Sequence, residues 1–200
     1  MIINKQNLEA VIAKANEVND HYILTHLTGN ATQKYMDYIL DSCEKFGVRN
    51  VRMFEVDLPY VDSAVYSMCV MTKDGADIVL AKGLNHCWQR YTICKELFHL
   101  LIDDEKYRNL DIFAHSEAVT ISYSLDDSRP DLGVAAEFLA EVAAMEFLFP
   151  YAQREQQMRS GQPNYPAIAQ QYRIPQLLVD RYLSPRLMST LKEVSRRQSE

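Results

Sequence analysis

One stretch of the chain, residues 85–103, combines an almost wholly apolar helical pattern with a single line of polar side chains. It reads NHCWQRYTICKELFHLLID, and its apolar residues recur at steps of three and four while filling most of the remaining circumference. This pattern predicts a buried helix. The exceptions follow the spacing i, i+3, i+4, i+7 and i+11 along one face: Thr92, Lys95, Glu96, His99 and Asp103. Lys and Glu are rarely buried without a partner, so this face is a candidate functional site.

The composition is that of an ordinary globular chain without the basic surplus that nucleic-acid binding needs. Of 200 residues, 48% are hydrophobic and 24% charged, which fits one domain or one domain with a small appendage. The formal net charge is −6, and phosphate contacts dominate DNA affinity, so general DNA binding is not expected. No apolar run approaches the length of a membrane span, and the four cysteines lack a C-x-x-C pairing. We therefore expect a cytoplasmic protein with reduced thiols and no membrane association.

The first half of the chain predicts two helices followed by a small sheet. Helical spacing and strand-like runs cover, in order, residues 7–18, 33–46, 51–56, 64–72 and 76–81. Asp74 and Gly75 stand between the last two strands, and this dipeptide supplies the positive φ angles that a tight hairpin needs. We expect an α+β fold in which a small antiparallel sheet of about three strands leads directly into the apolar helix.

A second apolar helix is predicted over residues 133–149, where Pro150 ends it. Glu137 and Glu141 are four residues apart and form a narrow acidic line on this otherwise buried element. One interpretation places this line on a partly exposed helix edge. The other pairs it with the polar line of the first helix, because two buried helices with complementary polar lines can satisfy each other.

After Pro150 we expect a linker and a pair of short helices. Residues 153–164 are polar and contain Gly161 and Pro163, which indicates a linker. Two helical segments around a turn follow, residues 168–172 and 175–183. The expected organisation is thus one domain over residues 1–152, and a linker with helix-turn-helix-like helices packed on it over residues 153–200.

The apolar residues of this helix pair favour packing over DNA reading. The second helix offers few of the Arg, Asn and Gln side chains that read base edges. We expect the following residues to dock on the main domain: Ile168, Tyr172, Leu177, Leu178 and Tyr182.

Three motifs resemble one family. Lys95-Glu96-x-x-His99 is similar to the zinc-peptidase signature H-E-x-x-H, in which two His bind the metal and the Glu is the general base. The longer string RYTICKELFHLL resembles the active-site helix of the ImmA/IrrE metallopeptidases. LAEVAAMEFLFP and IAQQYRIPQLLVDRYL resemble later family motifs in the same order. The resemblance covers residues 90–183. It implies a zincin-like helix beside a small sheet, a zinc ion, and a regulatory partner such as a helix-turn-helix repressor of a mobile element or stress regulon.

The resemblance assigns roles to individual positions. His99 matches the second metal ligand and Glu96 the general base, whereas Lys95 stands where the first ligand His would be. The family's acidic ligand position falls on Leu139, with Glu137 and Glu141 as displaced candidates two residues to either side. Catalytic zinc normally has three protein ligands, and a protonated lysine cannot coordinate a metal.

Three functions therefore remain open. The first is a metallopeptidase fold with a degenerate site, in which Lys95 supplies the charge of an absent or weakly bound zinc and the protein binds a regulatory partner. The second is an active endopeptidase that cleaves such a repressor, with His99, one Glu and either His115 or Cys94 as ligands and Glu96 as base. The third, a DNA-binding regulator that uses the C-terminal helix pair, is disfavoured by the charge.

Overall fold

The computed structural model describes residues 5–25, 50–57, 66–72, 74–102 and 132–197. Within them the chain forms α1 (Lys5–Thr25), β1 (Val51–Val56), β2 (Ser67–Met71), β3 (Ala76–Ala81), α2 (His86–Leu101), α3 (Leu132–Leu148), α4 (Tyr151–Arg159), α5 (Tyr165–Tyr172), α6 (Gln176–Tyr182) and α7 (Pro185–Arg197). This confirms an α+β fold with helices around a three-stranded sheet. The helix expected at 33–46 lies outside the described residues, as do Asp103 and His115. No helix in the described ranges could cross a membrane, judged by length and apolar content.

The sheet is mixed, with the strand order β1-β3-β2. β2 and β3 pair antiparallel, which confirms the hairpin expected around Asp74 and Gly75. β1 pairs parallel with β3, from Val51 opposite Ala76 onwards, so the expectation of a wholly antiparallel sheet is wrong for this pair. The reason is topological: β3 is the last of the three described strands in sequence but lies between the two earlier ones, and it runs in the direction of β1.

The apolar helix expected over residues 85–103 is α2. Its N-cap is Asn85, whose side chain accepts a hydrogen bond of 3.1 Å from the backbone N–H of Trp88. α2 packs on β2 and β3 and on α3. The inner face of β3, formed by Ala76, Ile78 and Leu80, is buried in the same core as Leu97 and Phe98 of α2. Because α2 is packed on two sides, its charged side chains have little contact with solvent.

α3 is the central helix of the fold and packs against both α1 and α2. Every residue from 139 to 149 is buried, including Glu141 and Glu146. A carboxylate at such a position requires a partner, because burying an unpaired charge is strongly unfavourable. Both carboxylates have one: Glu146 accepts hydrogen bonds from the backbone of Tyr151 and from the fully buried Arg154, and Glu141 is described below.

The expected linker at 153–164 is wrong for most of its length, because α4 extends to Arg159. The buried position of Arg154 explains why the prediction of a linker was wrong. This residue is 0% exposed, pairs with Glu146, and lies over the ring of Tyr182 with 5.2 Å from guanidinium carbon to ring centroid. A polar sequence indicates a loop only when its side chains are solvated, and here the partners of Arg154 lie on other elements.

The predicted helix pair is present as α5 and α6, and it shares the main core. Four of the five residues expected to dock are buried: Ile168, Tyr172, Leu178 and Tyr182. Leu177 is 58% exposed, so the docking expectation is wrong for that residue. Adjacent helical positions point about 100° apart, and Leu178 takes the inward position. α7, which the sequence analysis did not anticipate, follows and contacts α1, α4 and α6.

Candidate functional site

The side chain of Lys95 joins α2 to α3. Its Nζ lies 2.6 Å from Oε2 of Glu137 and 3.1 Å from Oε1 of Glu96, and only 15% of the side chain is exposed. Lys95 and Glu96 are sequence neighbours on α2, whereas Glu137 comes from the first half of α3. The ammonium therefore lies between carboxylates from two helices, a charge-assisted arrangement that is stronger than a solvated pair.

Glu96 is the most buried charged group of this cluster, at 2% exposure. The carboxylate reaches the sheet, where Oε1 accepts a hydrogen bond of 2.6 Å from the hydroxyl of Ser67 at the start of β2. The same oxygen is the one that contacts Lys95. Glu96 thus has a cation and a hydroxyl as partners at a position where a carboxyl group without partners would be costly.

His99 completes the cluster one turn after Lys95. Its Nε2 lies 3.1 Å from Oε1 of Glu137, within ion-pair distance, and within the described part of the chain it has no other polar partner. The two oxygens of Glu137 therefore face two different residues of α2. Lys95 binds one oxygen and His99 contacts the other, while 38% of the Glu137 side chain stays exposed. This opening connects the cluster with solvent.

The charges of the cluster stabilise one another. Burial alone would lower the pKa of Lys95, but the carboxylates of Glu96 and Glu137 outweigh burial and raise that pKa above its ordinary range. Burial would raise the pKa of Glu137, yet the contact with His99 and the charge of Lys95 bring it well below its ordinary value. Lys95 is therefore an ammonium and Glu137 a carboxylate at neutral pH.

Glu141 does not join this cluster, contrary to the interpretation that placed both acidic residues of α3 opposite Lys95 and His99. Arg181 of α6 donates to both of its oxygens, at 2.8 and 2.7 Å. The hydroxyls of Tyr91 and Tyr182 donate to the two oxygens at 3.3 and 3.2 Å. With all four contacts present, Glu141 serves to bind α6 to α2 and α3. Glu137 and Glu141 are thus one turn apart on α3, but Glu137 lies at the candidate site whereas Glu141 holds helices together.

The remaining sequence candidates lie elsewhere or outside the described residues. Cys94 is 0% exposed, with its sulfur 4.0 Å from the backbone oxygen of Ala144, and packs in the core. His115 is not among the described residues. Leu139, the position of the family's acidic ligand, is a buried core residue. Sequence reasoning missed Ser67 and Arg181, because their partners lie 29 and 40 residues away.

The described residues do not fit a zinc ion. Among them no three His, Cys, Asp or Glu side chains gather closely enough to hold a metal. Of the two candidates that approach each other, His99 and Glu137, the carboxylate is already in contact with the ammonium of Lys95. A cation bound there would meet a positive charge instead of a third ligand.

Comparison of the chain with protein-family models, with curated proteins and with solved structures found no match. The class of protein is therefore defined by geometry alone. The chain is an α+β protein in which a buried lysine lies between carboxylates of two packed helices beside the edge of a small sheet.

Proposed function

We propose that the protein is an ImmA/IrrE-like regulatory protein whose zinc-peptidase site is degenerate and which acts by binding a partner protein. The observation that supports this most directly is the position of Lys95. It takes the place of the first histidine of an H-E-x-x-H motif, and its ammonium lies within 3.1 Å of carboxylates from both helices of the cluster. A fixed positive charge can keep these acidic residues ionised and paired without a metal.

The cluster also argues against hydrolysis by its own residues. Glu96 at the position of the general base is paired with Lys95 and accepts from Ser67. Both contacts are made by Oε1, so this oxygen is not available to take a proton from water. What the geometry retains is a rigid junction of α2, α3 and the sheet with a partly exposed acidic side chain, Glu137, at its opening.

The partner proposed from the resemblance is a regulatory protein, such as a helix-turn-helix repressor of a mobile element or stress regulon. We place the interaction in the cytoplasm, in keeping with the reduced state expected for cysteines that lack a C-x-x-C pairing. Nucleic acid is not the proposed partner, since the net charge is −6 and Arg181 of the helix pair is engaged with Glu141.

Elemental analysis tests the proposal. Protein purified without chelator and without a metal-affinity step is expected to contain far less than one zinc, manganese or iron per chain, and to leave the repressor encoded beside its gene uncut with any of these ions added. The same repressor is expected to co-migrate with the protein in gel filtration. One tightly bound zinc per chain that the His99→Ala substitution removes would refute the proposal in favour of an active endopeptidase.

A further inference from the structure

β1 lies at an edge of the sheet, with β3 as its neighbour among the described strands. The backbone oxygens of Asn50 and Val56, at its two ends, accept from the N–H groups of Ala76 and Lys82 at 3.4 and 2.9 Å. In a parallel pair, alternate residues of a strand bond to the same neighbour. The even-numbered residues of β1 therefore bond to β3, and the N–H and C=O groups of residues 51, 53 and 55 point away from it.

Apolar side chains flank this edge on both faces of the sheet. Met53 is 37% exposed on one face and Phe54 is 45% exposed on the other. Phe54 lies opposite Val79, which in turn lies opposite Met68, itself 40% exposed. The edge thus continues into an exposed apolar row that runs across all three strands, a feature that marks interaction surfaces when it occurs on a folded protein.

β1 has few of the features by which proteins prevent edge strands from pairing with other chains. β1 pairs with β3 over six consecutive residues without a bulge and contains no proline or lysine. Its two charges are compensated inside the chain. Arg52 binds Asp77 through two hydrogen bonds of 2.7 and 2.8 Å, and Glu55 accepts from Gln89 at 2.8 Å. The edge therefore presents hydrogen-bonding groups and apolar surface without a free charge.

We propose that the β1 edge binds an extended segment of the partner protein, which adds to the sheet as a fourth strand. The segment is uncharged, with apolar side chains where it flanks Met53 and Phe54. This inference rests on the proposed function in one respect, namely that the protein acts through a protein partner. A strand can bond to all of the outward backbone groups in register, and main-chain bonds supply affinity in this mode of recognition while flanking side chains supply selectivity.

A second copy of this chain fits the edge less well than a single segment does. Six residues of β1 form the edge, and a stable dimer buries about 800 Å² on each partner, more than one such strand provides. A peptide segment needs no comparable area, because it binds one strand through main-chain bonds and a few flanking side chains and does not have to hold two folded domains together. The dimer therefore becomes an alternative outcome of the experiment.

Fluorescence polarisation of a labelled peptide tests this. The probe is a fluorescein-labelled peptide of six alternating valine and threonine residues flanked by lysines, titrated with the full chain. Met53→Pro removes an outward N–H at a position where edge strands tolerate proline, and Met53→Ala keeps that N–H as the matched control. We expect saturable binding to the wild-type chain, binding by Met53→Ala within about threefold, and a loss of at least about tenfold for Met53→Pro.

Circular dichroism and urea unfolding establish that each variant is folded, and Glu55→Pro removes the next outward N–H if Met53→Pro is unstable. Hydrogen exchange on the wild-type chain needs no variant: the peptide should slow exchange of the amides of Met53 and Glu55. Absence of saturable binding, equal binding by the proline variants, or unchanged exchange in β1 would each overturn the inference. A dimer that Met53→Pro abolishes would overturn it in favour of a second copy.

Each of the two proposals can be refuted without refuting the other. A metal-free chain that does not bind the peptide refutes the β1 edge and leaves the degenerate site standing. A zinc-containing chain that binds the peptide refutes the degenerate site, while the edge keeps its function as a docking surface for a substrate protein.

Discussion

Nζ of Lys95 on α2 lies 2.6 Å from Oε2 of Glu137 on α3, although the two residues are 42 positions apart in the chain. This contact, together with Glu96, places a cation where two helices and a strand meet. Lys95→Met should therefore lower the free energy of unfolding by about 2–4 kcal/mol, more than an exposed pair contributes and somewhat less than a fully buried one. Urea unfolding followed by circular dichroism measures it.

Lys82→Met is the control for that experiment, because Lys82 pairs with Asp57 and both side chains are at least half exposed. We expect a change below about 1 kcal/mol there. Adding Glu96→Gln to Lys95→Met should recover part of the lost stability, since it removes the unpaired buried carboxylate. If Lys95→Met and Lys82→Met have equal effects, the cluster is not a buried ion network.

The pH dependence of stability should follow Glu137. Its pKa lies well below the ordinary value of 4.5, as the contact with His99 and the charge of Lys95 overcome its burial. A group with a depressed folded pKa stabilises the protein above its unfolded pKa and loses that contribution as the pH falls. The difference in urea midpoint between wild type and Glu137→Gln should therefore be constant from about pH 6 to 8 and shrink below about pH 4.5.

The pair of Glu155 and Arg159, four residues apart on α4, provides the comparison, because its cation is solvated: the side chain of Arg159 is 76% exposed and that of Glu155 31%. Glu155→Gln should change the midpoint little at any of these pH values, because exposed i,i+4 pairs contribute only a few tenths of a kcal/mol. A difference for Glu137→Gln that grows as the pH falls would contradict the assigned direction.

The parts of the fold that the sequence could predict are those that depend on local pattern. The three- and four-residue spacing in 85–103 gives α2, and the Asp74-Gly75 pair gives the hairpin. Pairing between distant residues has no local signature. The parallel pairing of β1 depends on a strand that comes 20 residues later in the chain, and the helix at the expected linker depends on a buried Arg154 whose partners lie on other elements.

The same difference between local pattern and long-range pairing explains which residues of the candidate site the sequence could predict. Lys95, Glu96 and His99 share one helix face, so periodicity places them together without knowledge of the fold. The opposite side of the site required a choice between Glu137 and Glu141, which share a face of α3 equally well in sequence. Arg181 decides it by binding Glu141, and a single sequence contains no signal for that contact.

The binding of Glu141 by Arg181 should be a main attachment of the C-terminal helices. Glu141 is 5% exposed, and without Arg181 its partners among the described residues would be the hydroxyls of Tyr91 and Tyr182. Arg181→Met should lower the free energy of unfolding by about 2–4 kcal/mol, because it leaves a buried carboxylate without a cation. The double variant Arg181→Met/Glu141→Gln should be more stable than Arg181→Met alone. An Arg181→Met protein as stable as wild type would contradict this role.

Leu177 and Leu178 form a matched pair on α6. Leu177 is 58% exposed and Leu178 is 2% exposed. Leu178→Ala should lower the free energy of unfolding by about 2–5 kcal/mol, since it opens a cavity in the core, whereas Leu177→Ala should change it by no more than about 0.5 kcal/mol. Equal losses in urea unfolding would show that Leu177 is covered in solution.

Lys95→His should create a zinc site from residues of the cluster itself. It would place a second imidazole at i, four residues before His99, on the side of α2 that faces Glu137. It would also remove the ammonium that now binds Glu137. Two imidazoles and one carboxylate are a ligand set that zinc accepts, so we expect one zinc per chain by elemental analysis of the Lys95→His protein.

Three double variants decide whether that zinc lies in the proposed place. Lys95→His/His99→Ala and Lys95→His/Glu137→Gln should each lose most of the metal, because each removes one of three ligands. Lys95→His/Glu141→Gln should keep it, because Glu141 is bound to Arg181 and does not face the cluster. Zinc retained without Glu137 but lost without Glu141 would mean that α3 presents the other carboxylate to α2, which is incompatible with the contacts on which the degenerate site rests.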